Sequence, residues 1–195
     1  MSQRITLRRR PTVASILAPR GDSLVVTGLG STTWDTYAAG DSPLTFYTWG
    51  GMGGATMVGL GLAMAQPKRR VVVITGDGEM LMGMGSLATA GVQRPSNLAV
   101  VVIDNERYGE TGQQETHTHH GIDLARVALA CGFREAVTAY SRAQLADAID
   151  LVYDGPGPFL AVVKVRAGSE ALVLPERDGP LLKSRFREAL LGTSD

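Results

Sequence analysis

The chain has a single cysteine, Cys131, among 195 residues, so no disulfide can close within it, which suits a reducing cytoplasm. Only three residues are histidine, aromatic residues make up 6 %, and neither sign of charge is in excess, with 19 basic against 19 acidic residues. Without a positive surplus there is no electrostatic footprint for nucleic acid. No apolar run approaches the ~20 residues of a membrane-crossing helix; the longest, around Ala55 to Ala65, is short and broken by glycine. The N-terminus lacks the apolar core of a signal peptide, and Arg8, Arg9 and Arg10 read as the solvated start of a first helix. What these absences leave is one cytoplasmic domain, expected over 1–195 and large enough to bury a core. Cys131, at the end of the apolar helical stretch Leu124 to Cys131, reads as a small buried residue.

Glycine and short Val/Ile runs are what the chain does have. Val71 to Thr75 is a buried strand that ends in Gly76-Asp77-Gly78; a helical crossover leads to a second, Leu98 to Ile103, ending in Asp104-Asn105. Short apolar runs without polar interruption are the pattern of parallel strands covered on both faces. If the two are neighbours, Asp77 and Asn105 emerge at the same carboxyl edge, where open α/β sheets bind ligands. A carboxylate and an amide are hard oxygen donors suited to Mg²⁺, which keeps part of its shell for phosphates and water. Gly76 and Gly78 let backbone approach an anion closely, and a helix beginning there adds its N-terminal dipole. The residues therefore suggest a Mg²⁺-diphosphate site, with a tight turn and a helix cap as the alternative for either dipeptide alone.

This stretch resembles the signature of the thiamine-diphosphate enzymes, in which Gly-Asp-Gly is followed by Asn-Asn or Asp-Asn; here Asp77 and Asn105 stand 28 residues apart, within the usual separation. The segment Ile103 to Gln114 is most similar to the diphosphate-binding part of sulfopyruvate and phosphonopyruvate decarboxylases. The resemblance implies Mg²⁺ held by the side chains of Asp77 and Asn105 and the backbone carbonyl of Arg107. It implies cofactor contacts from Gly76, Gly78, Glu79, Tyr108 and Gly109 as well. The family commonly has a small hydroxyl residue where Glu79 stands. An ionised glutamate would repel phosphates, so its backbone N–H is expected to serve while its side chain turns away, towards a partner.

Earlier in the chain, strand Ser23 to Thr27 runs into Gly28-Leu29-Gly30-Ser31-Thr32, a second anion-binding arrangement of strand, glycine turn and hydroxyl-bearing helix start. By resemblance Gly30, Ser31 and Thr32 grip the diphosphate; a plain Ser/Thr cap is the alternative. Strand Leu44 to Thr48 leads into Trp49-Gly50-Gly51-Met52-Gly53-Gly54. A dinucleotide fingerprint from Gly51 would need glycine where Thr56 stands, so it fails. The family has a Gly-x-Met-Gly-like turn here, which makes Gly51 a cofactor contact and Met52 the prop that bends the cofactor. Met80, Met82, Met84 and Leu87 read as the buried face of the crossover helix. His117, His119 and His120 form a weak zinc pattern; the better reading has His117, His119, His120 or Arg107 facing an anionic substrate, with a plain solvated loop as the equal alternative.

The remaining segments are a helix over Gly121 to Cys131, a strand Ala136 to Tyr140, a helix Arg142 to Tyr153 capped by Ser141, a last strand Phe159 to Val165 and a basic helix Leu181 to Leu191. Strands alternate with helices, which gives a doubly wound, mainly parallel α/β sheet of about six strands. The resemblance spans about Leu24 to Val165 and corresponds to the diphosphate-binding half of these enzymes. It implies a separate aminopyrimidine-binding α subunit that supplies the activating glutamate, in an α₂β₂ or larger hetero-oligomer, with this chain like the β chain. The activity implied is decarboxylation of a small 2-oxo acid with thiamine diphosphate and Mg²⁺. A carboligase, a non-catalytic cofactor-binding module and another Mg²⁺-phosphate enzyme are the alternatives.

Overall fold

A computed structural model describes residues 5–193. Residues 1–4 and 194–195 of the expected domain lie outside the described residues. In chain order the elements are α1 (Arg9–Leu17), β1 (Leu24–Thr27), α2 (Ser31–Ala38), β2 (Thr45–Tyr47), α3 (Ala55–Ala65), β3 (Val71–Gly76), α4 (Asp77–Met82), α5 (Gly85–Gln93), β4 (Leu98–Asp104), β5 (Arg107–Tyr108), β6 (Gln114–Glu115), α6 (Leu124–Ala130), β7 (Glu135–Ala139), α7 (Arg142–Asp154), β8 (Phe159–Lys164) and α8 (Gly179–Leu191). Six strands form one parallel sheet in the order β2-β1-β3-β4-β8-β7, and β5 and β6 make a small antiparallel hairpin beyond it.

Side chains alternate across each strand and so divide the core in two. Leu24, Val26, Val71, Val73, Leu98, Val100 and Val102 pack on one face with Leu60, Leu87, Leu124 and Phe186. Val25, Val72, Ile74, Ala99, Val101 and Ile103 pack on the other with Val13, Ile16, Leu145 and Val152. Because both faces are covered, the runs are apolar throughout, and this is why they are readable without any alternation in the sequence. At ~25 cal/mol per Å² of apolar surface removed from water, such strands drive the fold. Ser141 accepts the N–H of Gln144 at 3.4 Å, as a cap of α7 should.

From β1 the chain goes outward to the edge strand β2, then returns to the other side of β1 for β3. The two connections leave in opposite directions, and the crevice above the carboxyl ends of β1 and β3 is the switch point at which open α/β sheets take ligands.

Three readings are corrected. The crossover after β3 is two helices, divided at Gly83, whose backbone leaves the helical region with φ −97° and ψ 20°. Met80 and Leu87 are buried as expected, but Met82, two residues from Met80, projects from the opposite side of α4, and the break at Gly83 carries Met84 out to the surface. Arg9 belongs to α1 and is buried against Asp35, which also takes Arg10 Nε at 2.9 Å, so this basic run is not simply solvated. Cys131 is half-buried at the end of α6, whose start Asp123 sets by accepting the N–H of Arg126. Among the described residues, no helix is long and apolar enough to cross a membrane.

Candidate functional site

Thr27 ends β1, and the following turn reverses at Gly30, which takes φ 80° and ψ −135°. That conformation belongs to glycine. No side chain caps α2: Thr33 instead folds back onto the carbonyl of Gly28 and lies 2.6 Å from the hydroxyl of Thr27. Ser31 and Thr32 are therefore not the cap that the alternative reading expected. The Thr32 hydroxyl is buried without a hydrogen-bond partner and lines a cavity of about 210 Å³. The same cavity is lined by Gly30, Ser31, Met52, Gly76, Asp77, Gly78, Glu79, Asn105, Arg107, Tyr108 and Gly109, which is every expected cofactor contact except Gly51.

β3 and β4 are neighbours whose register pairs Gly76 with Ile103, so Asp77 follows at the level of Asp104 and Asn105 lies one residue beyond. Asp77 is buried. Its Oδ2 accepts hydroxyl protons from Thr116 at 2.6 Å and Thr118 at 3.3 Å, and Thr118 lies 2.9 Å from Oδ1 of Asp104. Burial, then the nearby Asp104 charge, push the Asp77 carboxyl up to about 7, against the opposing pull of the two threonines. Asp104 is in turn balanced by Lys164, whose Nζ stands 2.8 Å from it and 2.7 Å from Glu106. Burial lowers the Lys164 pKa, yet these two carboxylates outweigh it and the net shift is upward.

The loop after β4 is held by its own side chains. Asp104 accepts the N–H of Glu106 and Asn105 accepts the N–H of Arg107, each at 3.0 Å. Between them Glu106 sits at φ 60°, a left-handed position costly for a residue with a Cβ. The Asn105 oxygen has a second lone pair for a metal. The Arg107 guanidinium turns to the carbonyl of Glu106 at 2.9 Å and to Glu115 at 3.3 Å, across the β5–β6 hairpin. Tyr108 lies against Gly78 so closely that a Cβ there would fall 2.6 Å from its ring.

Glu79 is the least ordinary member. Its carboxylate is buried, takes the Thr75 hydroxyl at 2.7 Å, and receives backbone N–H groups of Ala55, Gly53 and Leu29. It thus joins the turn after β1 to the turn before α3, and burial raises its pKa against those hydrogen bonds. A Cβ on Gly28 would fall 1.4 Å from its Oε2. The side chain turns inward between the two turns; it does not reach out to a partner.

The histidines and threonines of Thr116-His117-Thr118-His119 alternate. The threonines point in and are buried; the histidines are exposed and lie outside the cavity lining. His119 Nδ1 is 3.1 Å from Glu106 and its Nε2 3.2 Å from Glu115, which His120 also approaches at 3.4 Å. Among the described residues, no three His, Cys, Asp or Glu side chains gather in a way that could hold a metal. The remaining donor set is the one expected: Asp77, the Asn105 amide oxygen and a carbonyl. These hard donors fit Mg²⁺. Space is open where a Cβ on Gly76 would point, and with the orphaned Thr32 hydroxyl it fits an anion brought with the metal. Sequence reasoning missed Thr116, Thr118, Lys164 and Arg9. The period-2 interleaving of threonine with histidine was the signal for the first two.

The thiamine pyrophosphate enzyme C-terminal TPP-binding domain matches residues 28–163. The sulfopyruvate decarboxylase subunit beta of Methanothermobacter thermautotrophicus is 37 % identical over 97 % of this chain and 98 % of that subunit. The phosphonopyruvate decarboxylase of Streptomyces viridochromogenes is 40 % identical over 85 % of this chain, which spans only 42 % of that enzyme. In fold the chain is similar to an X-ray structure from Mycobacterium smegmatis described as thiamin diphosphate-dependent, with a TM-score of 0.71 at 23 % identity, covering 83 % of this chain and 32 % of that one.

Proposed function

The chain belongs to the thiamine pyrophosphate enzyme family, and we propose that it is the diphosphate- and Mg²⁺-binding β subunit of a thiamine-diphosphate-dependent 2-oxo acid decarboxylase of the sulfopyruvate/phosphonopyruvate type. One observation carries this reading: Asp77 and Asn105 stand at the carboxyl ends of adjacent strands, over the same cavity as the uncapped start of α2. Asp77, Asn105 and the Arg107 carbonyl hold Mg²⁺. Gly30, Ser31, Thr32 and the backbone from Gly76 to Glu79 surround the diphosphate, with Tyr108 and Gly109 closing over it. Thr116 and Thr118 fix the Asp77 carboxylate, and Met52 props the cofactor. Arg107, which lines the cavity, is the side chain of this chain best placed to meet the substrate, while His117 and His119 lie outside the lining and would reach it only if the loop that carries them turned inward. When bound, thiamine diphosphate supplies an electron sink for the carbanion left as carbon dioxide departs.

The chain provides half of a site. Its cavity, about 210 Å³, is smaller than the roughly 300–1,000 Å³ that enclose a drug-sized ligand, so further walls are needed. We assign them to an aminopyrimidine-binding α subunit that brings the activating glutamate, in an α₂β₂ or larger assembly. The naming of relatives as subunit beta supports a partner. The single cysteine supports a cytoplasmic place of work.

The test is purification of the tagged chain with its bound partners, followed by carbon dioxide release from 2-oxo acids that bear a sulfonate, phosphonate or alkyl group at C3. A second chain in fixed ratio and turnover that needs both thiamine diphosphate and Mg²⁺ are the expected results. No binding of thiamine diphosphate in any company would overturn the assignment.

A further inference from the structure

Lys164 ends β8, a strand whose other residues are all apolar, and is itself buried. The parallel register sets it beside Asp104, the last residue of β4, and the N–H of Val165 donates to the Asp104 carbonyl at 2.9 Å. Its ammonium stands 2.8 Å from Oδ2 of Asp104 and 2.7 Å from Oε1 of Glu106. These are the residues on either side of Asn105. A buried ion pair adds little to stability over an apolar side chain of similar volume, so the charge points to a task other than holding the sheet together.

The loop after β4 supplies such a task. Glu106, at φ 60°, separates Asn105 from Arg107, and a residue with a Cβ keeps that conformation only where its surroundings impose it. The hydrogen bonds from the N–H groups of Glu106 and Arg107 to Asp104 and Asn105 are local, closing within the loop and its strand end. Lys164 reaches the loop from a different strand, one fixed in the sheet on both sides. The Glu106 carbonyl accepts the N–H of Thr116 at 3.1 Å, and its second carboxylate oxygen lies 3.1 Å from Nδ1 of His119. The other Asp104 oxygen takes Thr118 at 2.9 Å, and that hydroxyl is also 3.3 Å from Asp77.

We propose, on the reading of the chain as a thiamine-diphosphate subunit, that Lys164 is a positioning residue for Mg²⁺: its grip on Asp104 and Glu106 keeps Asn105 and the Arg107 carbonyl in place. The sign of its effect separates this role from that of a bare charge. An ammonium beside Asp104 repels a nearby cation, so as a charge alone its removal would strengthen Mg²⁺ binding. As a clamp its removal frees the loop at Glu106, and Mg²⁺ binding weakens.

Two measurements on the full chain in its purified complex test this: hydrogen exchange across the loop without metal, and Mg²⁺ titration by calorimetry at saturating thiamine diphosphate. Lys164→Met should speed exchange of the Glu106 and Arg107 amides by about tenfold or more while β3 and β4 stay protected. It should weaken Mg²⁺ by about 10–100-fold, the scale of a lost group that orients a metal ligand. Lys164→Arg should recover Mg²⁺ affinity to within about threefold, because a guanidinium can meet both carboxylates, and a cavity of about 170 Å³ beside Lys164 gives it room. Should Lys164→Met fail to fold by circular dichroism, because Asp104 is left buried without its cation, Glu106→Gln decides. That variant leaves Lys164 on Asp104 and breaks only the arm to the loop, and it too should exchange faster and bind Mg²⁺ more weakly. Mg²⁺ affinity unchanged or tighter, or loop exchange unchanged, in the deciding variant overturns the proposal while the unaltered complex still binds thiamine diphosphate with Mg²⁺. An unaltered complex that binds neither overturns the functional reading and this inference together.

Discussion

The hydroxyl of Thr116 donates to Oδ2 of Asp77 over 2.6 Å, between buried residues 39 positions apart. A hydrogen bond to an ionised acceptor in a dry site stabilises the charged form by roughly 1.5–3 kcal/mol, and in the proposed site the charged form is the one that would hold Mg²⁺. Thr116→Val keeps the volume and removes the donor. It should weaken Mg²⁺-dependent cofactor binding by about 10–100-fold, as loss of a group that orients a ligand does. Asp77→Ala should abolish that binding. Titration of Mg²⁺ at saturating thiamine diphosphate measures both; a wild-type response from Thr116→Val would mean that Asp77 needs no such support.

The raised pKa of Asp77 fixes the sign of a pH effect. Its carboxyl moves from 3.8 to about 7 through burial and the Asp104 charge. Between these values the folded, metal-free chain holds more protons than the unfolded chain, so this group's contribution is present at low pH and lost as pH rises through about 7. Mg²⁺ selects the ionised form and must expel the proton. The rise in Tm caused by Mg²⁺ with thiamine diphosphate should therefore be small at pH 6 and grow towards pH 8, with proton release on binding near neutrality. An equal rise at both ends would place the titration elsewhere.

Glu79 and Gly28 make a pair that can be tested against each other. A Cβ on Gly28 would lie 1.4 Å from the Glu79 carboxylate, so Gly28→Ala must push that side chain out of the Thr75 hydroxyl and the backbone N–H groups it now receives. The expected cost is about 2–4 kcal/mol, in the range of overpacking and broken buried hydrogen bonds. Adding Glu79→Ser clears the clash, and the double variant should be more stable than Gly28→Ala alone. Denaturant unfolding of the four chains gives the coupling. Strict additivity would show that the two do not meet.

Most of the sheet was legible because both its faces are buried, so Val71 to Gly76 and Leu98 to Asp104 carry no polar residue until they reach the ligand edge. Asp77 and Asn105 stood out for that reason: with Thr75 and Asp104 just before them, they are among the first polar side chains after long apolar runs. Arg9 was misread because its burial is decided by Asp35, a partner in another helix that local pattern does not reveal. Glu79 was misread for a similar reason, since the N–H groups it receives come from two distant turns. Met84 followed the helical period from Met80 on paper, but the break at Gly83 took it off the buried face, while Met82, two residues from Met80, never shared that face. Thr116 and Thr118 were overlooked because the three histidines beside them are rarer and chemically louder.

The last prediction concerns the surface those methionines form. On α3, Met57, Val58 and Met64 are exposed, with the equally exposed Gly61 between them in a single helical stripe. The turn that carries Met52 meets the break between α4 and α5, where a Cβ on Gly53 would lie 3.1 Å from the Gly83 nitrogen; Met82 and Met84 flank that contact. Exposed methionines in such number are typical of an interface and poor for an isolated surface, and Met52 carries the stripe to the rim of the cavity. This is where the partner should close the site. A charge at its centre, Met57→Glu, should cost association about 2–4 kcal/mol, as at a buried contact, while Ala146→Glu on the exposed side of α7, against the opposite face of the sheet, should cost little. Sedimentation and co-purification of the two variants, both checked for fold by circular dichroism, measure the difference. Loss of the partner and of thiamine diphosphate binding in Met57→Glu alone would tie the apolar stripe to the completed site; full assembly in that variant would move the partner to another face of the chain.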